Sequence, residues 1–181
     1  MQGCATVRIA VVGGGAAGII AAIAASYRGA DVTIIEKNNR IGKKILATGN
    51  GRCNLTNINL SIANYHGENP QFAGSALAKF DVHKTIDFFE RLGLAHKVEE
   101  EGKVFPVSNQ ASSVLDVLRY ELEKTGVKIL CESAVSDIKK EGGGFIITFQ
   151  NGGEFKSDRV ILAAGGSRRA TCKGPPSFFR A

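Results

Sequence analysis

Val11-Val12-Gly13-Gly14-Gly15-Ala16-Ala17-Gly18 is the stretch on which the fold of this chain turns. Before it, Thr6–Val12 is rich in valine and isoleucine, which suits a strand buried on both faces. After it, Ala16–Tyr27 reads as a helix of small residues with Gly29 as its stop, and Asp31–Ile35 as a second buried strand ending at Glu36. Each glycine then has a use. Gly13 permits a tight turn, Gly15 lets the backbone approach a phosphate, and Gly18 lets helix and strand pack closely. Gly14, Ala16 and Ala17 complete the turn and open the helix, whose dipole and free amides favour a pyrophosphate. Glu36, at the end of the second strand, is placed to accept ribose hydroxyls, and its charge repels a 2'-phosphate. The unit therefore reads as a cradle for FAD or NAD rather than NADP. A merely structural turn and a solvated strand-end carboxylate are the plain alternatives.

The rest of the chain builds onto this unit. Asn38–Asn69 is rich in glycine and asparagine, lacks a clean apolar period, and as a long loop needs a function. Asp81 is placed to cap a helix over Val82–Leu92, with Val82, Ile86, Phe89 and Leu92 as core. Lys97–Val107 reads as a hairpin turning at Glu101-Gly102. A helix from Asn109 to Lys124, capped by Ser108, and a third parallel strand over Val127–Cys131 follow. Three extended segments, Ala134–Lys140, Phe145–Gln150 and Glu154–Lys156, are punctuated by glycine clusters and predict a β-meander. Arg159–Ala163 returns as an apolar strand, ended by Gly165-Gly166.

Composition narrows the function. A chain of 181 residues with 44% hydrophobic and 22% charged residues is a globular domain, not a disordered or collagen-like one. The net charge of +6 owes much to Ser167–Ala181, which holds four basic residues and no acid, so the body is nearly neutral and nucleic-acid binding is disfavoured. Cys4, Cys53, Cys131 and Cys172 form no CxxC pair, which argues against a zinc site and fits a reduced, cytoplasmic setting. Ile9–Ala25 is apolar enough to suggest a membrane span, but three consecutive glycines and the adjacent Arg8 favour strand, turn and helix. His66, His83 and His96 lie on unrelated segments, and no residue stands out as a catalytic acid or base.

The segment from Gly42 to Asn57, GKKILATGNGRCNLTN, carries backbone donors, the amides of Asn50 and Asn54, and the cations Lys43, Lys44 and Arg52. Such a surface suits a diphosphate or the polar edge of a flavin, with an ordinary surface loop as the alternative. Arg52 could also lower the pKa of the neighbouring Cys53 thiol, yet no second cysteine is near in sequence, so a packed small residue is the preferred reading. Phe105-Pro106 could shape a cleft or simply pack.

Together GGGAAG, Glu36-Lys37, GKKILATGNGRCNLTN, VFPVSNQASSVLDVLR and DRVILAAGG resemble the BaiN-type (YhiN-like) FAD-dependent oxidoreductases, over about Val7 to Gly166. The resemblance implies an α/β fold: a Rossmann-like FAD-binding domain of the glutathione-reductase-like type, with a parallel sheet and a β-meander crossover, here incomplete. It implies FAD, with Gly13–Gly18 at the pyrophosphate, Glu36 and Lys37 at the adenosine, and Val135 offering backbone contacts to the adenine. Lys44, Thr48, Gly49, Asn50, Gly51, Arg52, Cys53 and Asn54 then lie by the flavin half, and Ala163, Ala164 and Gly165 make a second close approach.

Residues 1–166 are accordingly expected to be a partial FAD-binding domain and 167–181 an irregular basic tail. That tail departs from the family pattern, as in a frameshifted or prematurely ended reading frame, and the family's substrate domain and last FAD motif do not follow. The implied activity is hydride transfer between a small organic substrate and flavin N5, with NAD(P)H as a candidate electron donor. Two other readings share these motifs: a non-catalytic dinucleotide-binding module, and an RNA-related flavoprotein.

Overall fold

The computed structural model describes residues 6–166, so the expected irregular tail lies outside the described residues. In chain order the elements are β1 (Arg8–Val12), α1 (Ala16–Ser26), β2 (Asp31–Ile35), β3 (Thr56–Asn57), α2 (Gly74–Lys79), α3 (Val82–Arg91), β4 (His96–Val98), β5 (Lys103–Pro106), α4 (Ala111–Lys124), β6 (Lys128–Leu130), β7 (Val135–Glu141), β8 (Gly144–Phe149), β9 (Glu154–Ser157) and β10 (Arg159–Leu162). They fall into two compact units, one formed by the chain up to Lys43 and from Tyr120 onward, the other by Lys44–Arg119.

The first unit is a Rossmann-type layer structure. Its sheet has the order β10-β1-β2-β6, with every neighbouring pair parallel. Strands covered on both faces need apolar side chains throughout, and Ala10, Val11, Val12, Val32, Ile34 and Ile35 are all buried. One face packs on the meander β7-β8-β9, where Ala10, Ile35 and Ile147 form a core with Val135, Ile138, Phe149, Phe155 and Val160 around it. Helix α1 also lies on this sheet, burying Ile19, Ala22 and Ile23 completely. Each such buried valine or isoleucine contributes about 1.5–3 kcal/mol. Exposed ion pairs join neighbouring strands where they begin: Arg8 with Asp158 at 3.1 Å, and Lys128 with Asp31 at 3.0 Å. The opposite, carboxyl ends of the strands carry the glycine turn and Glu36, the end where open α/β sheets bind ligands.

The second unit holds a small antiparallel sheet of order β3-β5-β4, whose β4–β5 pairing is the expected hairpin. Asn38–Asn69 proves more ordered than a bare loop. It contains a 3-10 turn at Ile45–Gly51, strand β3, and a second 3-10 turn at Ile62–Asn64. Gly49, Asn50 and Gly51, all at positive φ, build the first of these bends, which leaves no periodic pattern to read there.

Two helical expectations need correction. Asp81 does cap α3, accepting from the Lys84 amide at 2.9 Å. Yet Val82, Ile86, Phe89 and Leu92 are only half-buried, because the helix packs on the two-residue strand β3, too little sheet to cover a whole apolar face. Helix α4 starts at Ala111 rather than Asn109, because Asn109 has φ 56°, a left-handed conformation no helix can include. Among the described residues no helix is long and apolar enough to cross a membrane.

Candidate functional site

In the first unit the glycine turn is closed on three sides by protein. A Cβ on Gly13, which has φ +112°, would lie 2.4 Å from the Ala163 carbonyl oxygen. One on Gly14 would lie 2.5 Å from the Ile41 side chain, and one on Gly18 only 1.8 Å from the Gly13 carbonyl oxygen. Gly15 differs: nothing lies within 4 Å of its Cβ position. It is also the N-cap of α1, with no side-chain cap and no acid in the first turn. The first intrahelical bond runs from the Ile19 amide to the Gly15 carbonyl at 2.9 Å, so the amides of Ala16, Ala17 and Gly18 have no acceptor within the helix. An open approach, free amides and the positive end of a helix dipole coincide here.

Glu36 stands beside this turn and is almost fully buried. One carboxylate oxygen accepts from the Gly14 amide at 2.7 Å, the other from the Asn38 amide at 2.8 Å and from the Asn38 side chain. The carboxylate thus ties the end of β2 to the glycine turn. A carboxylate has about four acceptor sites, so room for a ribose hydroxyl remains. Lys37 is exposed next to it. The Ser133 amide donates to the Glu36 carbonyl at 2.9 Å, bringing the approach to β7, and so Val135, to the same region, although the Val135 side chain itself packs into the core. The Ala163 amide donates to the Val12 carbonyl at 2.8 Å, and Ala163 abuts both Gly13 and Gly18. Ala164 lies against Gly13, and Gly165 takes φ 75°.

The second unit carries Lys44 and Thr48–Asn54. Lys44 is the exposed N-cap of the 3-10 turn. Gly49, Asn50, Gly51 and Cys53 have φ 54°, 55°, 83° and 59°, so four of five successive residues are left-handed. For a side chain such as that of Cys53 this conformation costs about 1–3 kcal/mol and persists only where its surroundings enforce it. Cys53 is buried, which accords with a packed residue. The Arg52 guanidinium donates to Glu99 at 2.5 Å and to Asn109 at 2.9 and 3.2 Å, and lies 4.0 Å from the centre of the Phe105 ring. Lys97 adds a second cation to Glu99 at 2.8 Å. The bond from Arg52, then that from Lys97, hold the Glu99 carboxyl down at about 2. These side chains border a hollow of about 520 Å³, lined by Arg52, Glu99, Glu100, Lys103 and Phe105.

Sequence reasoning missed Asn38, Ile41, Glu99 and Asn109 and left Phe105 undecided. Glu99 and Asn109 lie 47 and 57 residues from Arg52, and nothing in their local pattern announces the pairing.

Comparison with known proteins adds the following. A family model described as the HI0933-like protein Rossmann domain matches residues 7–173, so the likeness extends beyond Gly166 into the segment expected to depart from it. The chain is 49% identical over 161 residues to a 3-dehydro-bile acid delta(4,6)-reductase of Clostridium scindens, covering 88% of this chain and 39% of that protein. It is 32% identical over 160 residues to a ribosomal RNA dihydrouridine synthase of Haemophilus influenzae, covering 86% and 39%. The chain thus spans 39% of the length of each of these two curated relatives. Among solved structures, THI4 of Thermovibrio ammonificans shares the fold with a TM-score of 0.59 at 15% identity, over 88% of this chain and 58% of that one.

Proposed function

The chain belongs to the HI0933-like Rossmann domain family, and on that premise we propose that it is the dinucleotide-binding part of an FAD-dependent reductase that saturates a carbon–carbon double bond in a small organic molecule. The observation that carries this reading is the asymmetry of the glycine turn. Gly13, Gly14 and Gly18 are packed by the protein's own atoms, whereas Gly15 faces open space at an uncapped helix N-terminus. In the proposal the amides of Ala16, Ala17 and Gly18 hold the pyrophosphate, and Glu36, with Lys37 beside it, takes the adenosine ribose. Val135 and Ala163–Gly165 offer backbone to the same ligand, and Lys44 with Thr48–Asn54 serves its flavin half, Arg52 through the shape of the loop it holds.

Bound FAD, once reduced by NAD(P)H as the proposed electron donor, would supply a hydride to one carbon of the substrate double bond, with a proton completing the other carbon. The protein's part is to bind, orient and exclude water. A delta(4,6)-reductase of a 3-dehydro-bile acid and an enzyme forming dihydrouridine both add hydrogen across a carbon–carbon double bond, which supports the reaction class. The higher identity to the former and the nearly neutral body favour a small molecule. The RNA reading rests on the dihydrouridine synthases, and the RNA arm of the test below addresses it.

Titrating the chain with FAD, FMN and NADP⁺ by calorimetry tests the cofactor. FAD is expected to bind tightest, and NADP⁺ binding as well as FAD would overturn the role given to Glu36. Anaerobic reoxidation of the reduced, FAD-loaded protein by a 4,6-unsaturated 3-dehydro-bile acid, compared with a uridine-containing RNA hairpin, separates the two substrate classes.

A further inference from the structure

An arginine in a glycine- and asparagine-rich cofactor loop reads as a free cation for a phosphate, but here the donors along one whole edge are already in use. At Nε and Nη2 the Arg52 guanidinium is bonded to Glu99 and Asn109, and its face covers the Phe105 ring. We infer that Arg52 is a positioning residue, locked by Glu99, Asn109 and Phe105 so that the left-handed Gly49–Cys53 loop keeps one shape, and that it is not a cofactor ligand.

The lock touches the loop at two points. Phe105 contacts Arg52 and also stands against Gly49, where a Cβ would lie 3.2 Å from the ring. Between those points the loop closes on itself through the Arg52 amide to the Gly49 carbonyl at 3.1 Å and the Cys53 amide to the Thr48 carbonyl at 3.0 Å. Both bonds span the left-handed Asn50, and a side chain bearing a Cβ leaves that region unless something holds it, as Cys53 at the loop's end would also. A planar guanidinium with two acceptors at fixed angles supplies that restraint, which an ammonium cannot match. Lys97 shares Glu99, so that the carboxylate is balanced by two cations and stays ionised. A phosphate taken by the Nε and Nη2 edge would have to displace both Glu99 and Asn109, leaving the loop's backbone and the Asn50 and Asn54 amides as the donors for a ligand.

The part of this inference that concerns cofactor binding rests on the FAD reading, and the test separates the two. Glu99→Gln and Arg52→Met are compared with Lys139→Gln, an exposed pair on the meander, as control. Hydrogen exchange at the Arg52 and Cys53 amides of the ligand-free chain is expected to accelerate about tenfold in both variants, the effect of losing one charge-assisted hydrogen bond. Amides of α3, in the same unit, keep their rates, which shows that the unit's fold survives. FAD affinity is expected to fall in both variants. If Arg52 were a ligand, Glu99→Gln would release it and tighten FAD binding while Arg52→Met weakened it, and such opposite signs would overturn the proposal, as would unchanged exchange. Failure of the unaltered chain to bind FAD would defeat the cofactor reading and leave the lock to be decided by exchange alone.

Discussion

The glycine turn after β1 and the Gly49–Cys53 loop both hold backbone in shapes most residues avoid, and they do so by opposite means. The turn depends on missing side chains: backbone and side-chain atoms occupy the places where Cβ atoms of Gly13, Gly14 and Gly18 would stand. The loop depends on side chains that are present, since Arg52, Glu99, Asn109 and Phe105 brace a backbone that includes Asn50 and Cys53 in left-handed form. A shape made by absence is local and has no partial substitute. A shape made by bracing is spread over several partners, each removable at moderate cost.

Gly18→Ala should therefore be the most damaging change. Its methyl would meet the Gly13 carbonyl oxygen at 1.8 Å, a backbone atom with no rotamer to yield. A loss of at least about 3 kcal/mol is expected in denaturant unfolding, at the upper end of overpacking costs. A Gly18→Ala protein of unchanged midpoint would show the turn to be more compliant than this comparison allows. Glu36→Ala comes next. It removes the acceptor for the buried Gly14 amide and for the Asn38 amide, and a buried donor left unpaired costs about 1–3 kcal/mol. Glu36→Gln keeps an oxygen for one of them and should lose less. Equal losses would mean that cavity formation, not hydrogen bonding, dominates.

Gly15→Ala sharpens the contrast within the turn itself. With φ −82° and nothing within 4 Å of its Cβ position, an alanine fits the protein as it stands. Stability should stay within about 0.5 kcal/mol of the parent, as for an exposed substitution. FAD affinity should drop sharply, because the methyl points where a pyrophosphate would approach. Equal affinity would place the ligand elsewhere.

The same contrast explains what the sequence made legible. Strands β1 and β2 and helix α1 were readable because burial on both faces imposes a continuous apolar run and close packing imposes small residues, constraints written at adjacent positions. The spacing of Gly13, Gly15, Gly18 and Glu36 belongs to the same local grammar. The meander was readable from its glycine punctuation, with Gly142 and Gly143 both at positive φ. Less could be read in Lys44–Arg119, where the determinants are pairings across distance. Arg52 meets Glu99 and Asn109 through the β4–β5 hairpin, and Thr56–Asn57 becomes a strand only because β5 lies beside it. Even Asn38, two residues from Glu36, gave no signal, because its bond depends on the chain turning back at the strand end.

The smallest effect expected is also the one that tests the bracing most directly, through pH. The Glu99 carboxyl titrates at about 2 rather than its ordinary 4.5, the Arg52 bond being the main cause and the Lys97 bond the second. A carboxyl whose pKa is depressed by folding stabilises the folded state where it is ionised. That contribution is whole above about 4.5 and is lost as the pH falls toward about 2. Glu99 is partly exposed, so solvent screens the pair and the contribution is modest. The difference in melting temperature between the parent and Glu99→Gln should then be constant from neutral pH to about pH 5, narrow below it, and vanish near pH 2. Added salt should shrink the difference at neutral pH, because exposed charges are screened within about 8–10 Å at moderate ionic strength. A difference that persists unchanged to pH 2 would mean that the Glu99 side chain braces the loop by its shape and not by its charge, and the guanidinium would then be held chiefly by Asn109 and the Phe105 ring.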